Sequence, residues 1–468
     1  MWTSLFNLLP VLGFVASGTA TTESLAKRDL TGSSWVYLGD NKGIPEHRAS
    51  GILYGIPDDG TQIPDHFYAN MGFNNHRTGG GQLPAPCRGW TYGYDEFLCR
   101  MDSTMKNYFT ARRFGAPVQI LLHDLWGIDG YGSVAEIPTP GDNGDWTSYN
   151  NFLSAIFRIF IANNVIDGVY FDITNEIDNT QYYTRGLQRF LDVWGLTHHR
   201  VANEFPQGKS AGPSFGNLPD RGAQDWYTGW ANFIASNQSV PAWMTMHFLM
   251  ADGSLDTSIN AFQGFLKSAG VQYDSPFMLN EYGHIDQQIP STTAWNIAQI
   301  ERANALGLRS NWRGEYELHD YLGNILGKPH TYPNYEVSDK DYWPCREYQV
   351  YKYYAMNMTG HRVRSEMTPN ALGDTYAVVG DGRVRILAGV RPTTGTWGIV
   401  LSGLSAVGLP TSGQLPIQTL RFDNGDLYTR IDHPTDLGYY THTYTDDSLY
   451  FVIGQTDPGV AYAFEFSI

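Results

Sequence analysis

Cysteine is scarce in this chain: Cys87, Cys99 and Cys345 are the three in 468 residues. So few thiols exclude a disulfide-built scaffold, and their scatter makes a poor metal set. An odd count leaves one thiol free, and Cys87 and Cys99, close in sequence, are the expected pair. Positive charge is also short. Lys and Arg number 31 against 47 Asp and Glu, for a net charge of −16. Phosphates would be repelled, so nucleic acid is excluded as a partner. Long apolar runs are missing, and no membrane partner is expected. The chain has no His-Glu-x-x-His, and adjacent His198 and His199 cannot face one ion as ligands four apart do. The glycine run Gly79 to Gly81 lacks the spacing and lysine of a phosphate loop. No metal and no cofactor is therefore expected.

Aromatic residues are plentiful, at 14% with 13 Trp and 30 Tyr. They serve core packing, and they are also the side chains that form sugar platforms. The N-terminus is apolar from Leu5 to Val15 and small from Ala16 to Ala20. That pattern reads as a secretory signal over residues 1–20, though no basic residue precedes the apolar core. Lys27-Arg28 resembles a dibasic processing site, so residues 21–28 read as a propeptide. An extracellular location follows, and Asn237 and Asn357 begin N-glycosylation sequons. Nothing in the sequence fixes an oligomeric state.

From residue 49 to 362 short apolar runs alternate with helical periods. The runs are 51–56, 72–78, 118–122, 168–174, Arg200-Val-Ala202, 243–247, 276–280 and 308–312. Helical patterns between them cover 64–71, 95–115, 146–163, 182–195, 225–237, 258–269 and 294–306. Strand–helix units repeated eight times predict an α/β protein with a (β/α)8 barrel. From residue 363 to 468 helical periods vanish, and short alternating segments predict a C-terminal β-sandwich. Residues 29–48, with Trp35-Val-Tyr-Leu38, are a candidate extra strand for it.

Two of the barrel runs end in Asn-Glu: Asn175-Glu176 and Asn280-Glu281. A carboxylate at the tip of a buried strand is costly unless it has partners or chemistry to do. Counting strands puts these two at the C-terminal ends of the fourth and seventh, the catalytic face of such a barrel. Two carboxylates flanking one bond is what glycoside hydrolysis requires. A third pair, Asn203-Glu204, follows the expected fifth strand; Glu204 is either substrate-binding or a surface residue. His123 and His247 also fall at strand ends.

With Glu176 and Glu281 on strands four and seven, the chain resembles the clan A glycoside hydrolases. Within the clan it looks most like family 39, the β-xylosidase and α-L-iduronidase group. The resemblance rests on Arg77 to Gly80, on Asn175-Glu176-Ile177-Asp178, and on a barrel followed by a β-sandwich. The sequence Asn280-Glu281-Tyr282-Gly283 departs from the Thr-Glu-Phe type associated with the family's xylosidases. The resemblance implies that Glu176 is the general acid/base, with a raised pKa, and Glu281 the ionised nucleophile. It implies a carbohydrate substrate, with Asn175 on the sugar 2-hydroxyl. Arg77 would hold Glu281 ionised, and His123 and His247 would line the sugar subsite. Tyr282 would position Glu281. Trp126 and Trp312 are either sugar platforms or core residues. Loops 79–90 and 127–145 are expected to close one end of the cleft. An endo-β-glycanase of the same clan and a non-catalytic carbohydrate-binding protein are the alternatives.

Overall fold

The computed structural model describes residues 30–131, 133–249, 253–331 and 333–468. The leader and Lys27-Arg28 lie outside the described residues. Eight parallel strands close into a barrel: Gly51–Leu53, His76–Thr78, Val118–Leu121, Val169–Asp172, Lys209–Phe215, Trp243–Phe248, Met278–Tyr282 and Leu306–Arg309. The first and last pair through Gly51 and Leu308, which removes any free edge. Long amphipathic helices surround it, and their buried faces carry aromatic residues such as Phe152, Phe190, Trp194 and Trp230.

The fifth strand is not where the sequence pattern put it. Arg200-Val-Ala202 belongs to the helix Gly186–Glu204, whose buried positions Phe190, Leu191, Trp194, Thr197 and Val201 recur at helical spacing. The strand is Lys209–Phe215, and its Gly212-Pro213 pair masks it, because both residues are poor strand formers. Cys87 and Cys99 are joined in a disulfide, and Cys345 is a buried thiol.

The second unit is a nine-stranded sheet rather than two separately paired ones. Leu30–Asn41 lies inside it, antiparallel to His361–Glu366 and parallel to Gly395–Ser402. The sheet rolls over one core made by Val36, Leu38, Ile386, Leu401, Phe451 and Phe464. Its two outermost strands approach each other, with the rings of His442 and Phe451 5.3 Å apart. The sheet docks on the barrel through the helix Pro290–Arg302, nearly every residue of which is buried. Gly389 makes that contact close. A Cβ there would lie 2.1 Å from the Ser291 carbonyl oxygen. Asp374 ties the joint, accepting from Arg302 Nη1 at 2.7 Å and from Gln299 Nε2 at 2.5 Å. The helix Pro290–Arg302 thus fixes the sheet against the barrel. Among the described residues no helix is long and apolar enough to cross a membrane.

Candidate active site

The site is built on one buried guanidinium. Arg77, in the second barrel strand, has no exposed surface. Its Nε donates to Asp172 Oδ2 at 2.7 Å, its Nη1 to Glu281 Oε1 at 2.8 Å and its Nη2 to Asn175 Oδ1 at 2.7 Å. One planar fork thereby fixes the ends of strands four and seven, a task lysine cannot do. Asp172 is equally buried and accepts further bonds from Ser214 Oγ at 2.6 Å and Asn280 Nδ2 at 2.9 Å. Ser214 in turn is bonded to Thr245 Oγ1 at 2.8 Å. Asp172, Ser214, Thr245 and Asn280 form a polar floor across strands four to seven. The sequence reading missed all but the Asn-Glu dipeptide itself. A buried Asp within an apolar run was the available signal.

Glu176 and Glu281 stand on this floor with His247 between them. His247 is fully buried; its Nδ1 lies 2.8 Å from Glu176 Oε1 and its Nε2 lies 3.6 Å from Glu281 Oε1. One donor atom from each of the three residues lies within 4.8 Å of the others. The backbone turns sharply at Glu176, where φ is +49°, and its N–H donates to the Ser214 carbonyl at 2.9 Å. Gly216 leaves room for the Glu176 carboxylate, since a Cβ there would sit 3.0 Å from Oε1. Two carboxylates and an imidazole are donors that hold divalent cations. Here the Arg77 guanidinium faces the same group through Glu281.

The ionisation pattern reverses the sequence expectation. Burial opposes charge on Glu176, but the His247 hydrogen bond and positive charge outweigh it, so its pKa is lowered. Glu281 goes the other way. Burial raises its pKa, His247 and Arg77 lower it, the Glu176 charge raises it again, and the net direction is upward. His247 is raised although burial lowers it, because Glu281 and Glu176 both favour the imidazolium. These directions favour charge on both Glu176 and His247, whose Oε1 and Nδ1 are 2.8 Å apart. A His raised above its ordinary 6.5 binds protons more tightly in the folded state. Its contribution to stability is full below pH 6.5 and is lost as pH rises through the folded value.

The remaining candidates separate. His123 starts a short helix after strand three, with Nδ1 3.0 Å from Asp124 Oδ1, and its buried Nε2 has no partner. Trp312 is 37% exposed and donates to the Gly283 carbonyl at 3.2 Å, which places it at the rim beside strand seven. Trp126 is core: it is buried against Tyr149 and Phe152 and donates to the Pro138 carbonyl at 2.7 Å. Tyr282 does not enter the cleft. Strand alternation turns it outward when Glu281 faces in, and its hydroxyl meets the Ala49 carbonyl at 2.6 Å and Tyr351 at 2.7 Å. Glu204 lies at the end of a helix, 45% exposed and paired with Arg200 four residues earlier. Alanine at Glu204 is expected to leave turnover unchanged and stability within about 0.5 kcal/mol, measured by activity assay and thermal melt. Tyr182, not anticipated, is half exposed near both carboxylates. Burial first, and then the charges of Glu176 and Glu281, raise its phenol.

One side of the barrel mouth is walled. Gly81 N–H donates to the Tyr54 hydroxyl at 3.2 Å, and that hydroxyl donates to Asp124. His319 Nε2 is 2.9 Å from the Gly81 carbonyl, Gln82 N–H donates to Asp129, and Arg100 Nη1 donates to Asp129 at 2.7 Å. These bonds lock together the segments after strands one, two, three and eight. The segments after strands five, six and seven are short.

No family model and no curated protein matches the sequence. Solved structures do match. N2152 from Neocallimastix frontalis superposes with a TM-score of 0.71 at 19% identity, over 94% of this chain and 100% of that one. The fold is shared. A glucosidase from Croceicoccus marinus gives 0.59 at 13% identity, over 94% and 100%. The GH39 enzyme from Xanthomonas axonopodis pv. citri gives 0.52 at 13% identity, over 93% and 97%. Enzymes of glycoside hydrolase families 30 and 44 share the architecture as well. Barrel and sheet together therefore follow a two-part architecture common to these proteins.

Proposed function

We propose that this protein is a secreted, retaining O-glycoside hydrolase, β-xylosidase-like, that cleaves oligo- or polysaccharide by double displacement. The observation that carries the reading is the approach of Glu176 and Glu281 to within 4.8 Å at strand ends four and seven. So close an approach of the nearest oxygens supports the short carboxyl separation of retaining enzymes, about 5–5.5 Å, over the wider one that admits an inverting enzyme's water. Glu281 attacks the anomeric carbon while Glu176 gives its proton to the leaving oxygen. Glu176 then takes a proton from the water that releases the sugar. Arg77 holds the Asn175 amide oxygen, so the amide N–H groups are left to donate to the sugar 2-hydroxyl. The walled side of the mouth favours a closed glycone end and release of single sugars. The glucosidase and the GH39 enzyme among the similar structures support the class of substrate.

The acid must be charged with a proton before it can act, and His247 Nδ1, 2.8 Å from Glu176 Oε1, is the group placed to exchange one with it. Glu176 and His247 therefore titrate as a pair. The alkaline limb of kcat/KM is expected above pH 6.5, and His247→Gln should move it to lower pH, because the remaining acid is a single carboxyl. A pH–rate profile of both proteins checks this. The class itself is tested by following the anomeric configuration of the first product by NMR on aryl xyloside and glucoside panels. Retention and monosaccharide release are expected; inversion would sink the assignment, and oligosaccharide products would favour the endo-glycanase.

A further inference from the structure

The open face of the sheet carries an aromatic surface that the active site does not use. Trp35 is 41% exposed and Tyr450 40% exposed. Strand register puts them in one lateral row: Trp35 is opposite Val400, and Val400 is opposite Tyr450. They stand two strands apart, roughly 10 Å. Tyr37 follows Trp35 on the same face, its ring nearly parallel at 16° with centroids 6.2 Å apart. Between the rows Gly398 leaves a dip: a Cβ there would meet the Tyr450 ring at 2.8 Å and Ser33 Oγ at 2.4 Å. The residues between these on the strands, Val36, Leu449 and Phe451, turn into the core. Trp35, Tyr37 and Tyr450 therefore share the outer face of the sheet.

The flanking polar groups are already neutralised. Arg364 is paired with Glu366 and lies over the Tyr37 ring at 4.4 Å, and the Tyr37 hydroxyl donates to Glu366 Oε2 at 3.1 Å. The face thus offers no net charge to a basic or acidic partner, and its charge complement is an uncharged ligand. A second copy of the chain is disfavoured by area. Two rings of about 150–250 Å² each, close to two-fifths exposed, present roughly 200 Å² at most. A stable interface needs about 800 Å² per partner.

We propose that Trp35 and Tyr450 form a second carbohydrate-binding surface, braced by Tyr37 and Arg364, which takes a neutral polysaccharide chain. The C–H groups on one face of a pyranose pack on an aromatic ring, and the spacing of Trp35 from Tyr450 is about that of a disaccharide. The inference rests on the proposed hydrolase reading only for the identity of the chain. Binding holds the protein on its polymer while the barrel works on chain ends.

The test uses the full chain carrying Glu281→Gln, so that bound polymer is not consumed. Retention on insoluble xylan and on cellulose is measured, together with titration of xylohexaose and cellohexaose. Adding Trp35→Ala and Tyr450→Ala is expected to weaken retention on the preferred polymer at least about tenfold. Phenylalanine at both positions should keep it. In the otherwise wild-type chain the alanine pair should leave turnover of a small aryl glycoside unchanged. Equal retention with and without the rings overturns the proposal. So does no retention on either polymer, or a wild-type dimer that the alanine pair dissociates. Failure of the hydrolase reading looks different: no glycoside is turned over while ring-dependent retention persists.

Discussion

Alanine at Glu281 is expected to reduce kcat by on the order of 10⁴-fold or more, the scale seen when one member of a catalytic set is removed. Glu281 is the carboxylate that Arg77 holds at 2.8 Å, so it presents a fixed oxygen to the anomeric carbon. Its removal leaves a hole where a small nucleophile fits. Azide should therefore restore part of the turnover on an activated aryl glycoside, and the product should be a glycosyl azide of inverted configuration. The free carboxylate is also buried and its pKa raised, so its loss relieves a desolvation cost. The melting temperature of Glu281→Ala should then stay level or rise while activity vanishes. Loss of both together would mean that Glu281 is structural, and full activity would remove it from the mechanism.

Methionine at Arg77 is expected to do the opposite to stability. The guanidinium satisfies Asp172, Glu281 and Asn175 at once, and without it Asp172 Oδ2 keeps only the neutral Asn280 amide at 2.9 Å. Stripping the cation from a fully buried Asp172 leaves uncompensated charge. Breaking one side of a buried pair in this way costs about 3–5 kcal/mol. Activity should fall along with stability, because Glu281 loses a charge that lowers its pKa and Asn175 loses its fixed orientation. Chemical denaturation followed by circular dichroism, with kcat/KM measured below the melting range, checks both parts. Lysine at the same position should rescue little, since a point charge cannot reach three acceptors in a plane. An Arg77→Met protein as stable as the parent would show that Asp172 is neutralised by another route.

These two positions show how far local pattern carries and where it stops. Glu176 and Glu281 were legible because an apolar run that ends in Asn-Glu is unusual at any single strand tip. Their addresses, strands four and seven, survived an error in the strand between them. Arg200 to Ala202 was read as strand five, yet the count stayed at eight because Lys209–Phe215 takes the same place in order. Glu204 drew attention for the same dipeptide and stands on a helix end, which dipeptide chemistry cannot reveal. Tyr282 was misread for a different reason. Adjacent residues on a strand face opposite ways, so a neighbour in sequence is the residue least able to share a cleft with Glu281.

The sequence by itself determined the α/β barrel, its companion of short strands, and the two carboxylates at strand tips. Each of these is written in hydrophobic period and in residues next to one another along the chain. Only the tertiary structure decided the rest. It set the candidate strand Leu30–Asn41 between His361–Glu366 and Gly395–Ser402, hundreds of residues away along the chain. It gathered Asp172, Ser214, Thr245 and Asn280 into a floor under Arg77. It set His247 between Glu176 and Glu281 and so shifted their ionisation in opposite directions, because ionisation follows distances of a few ångströms between side chains from different strands. It also aligned Trp35 with Tyr450. Charge, hydrogen bonding and ring spacing act through space, and pairwise separations across a closed barrel or a rolled sheet are set by the fold and not by order along the chain.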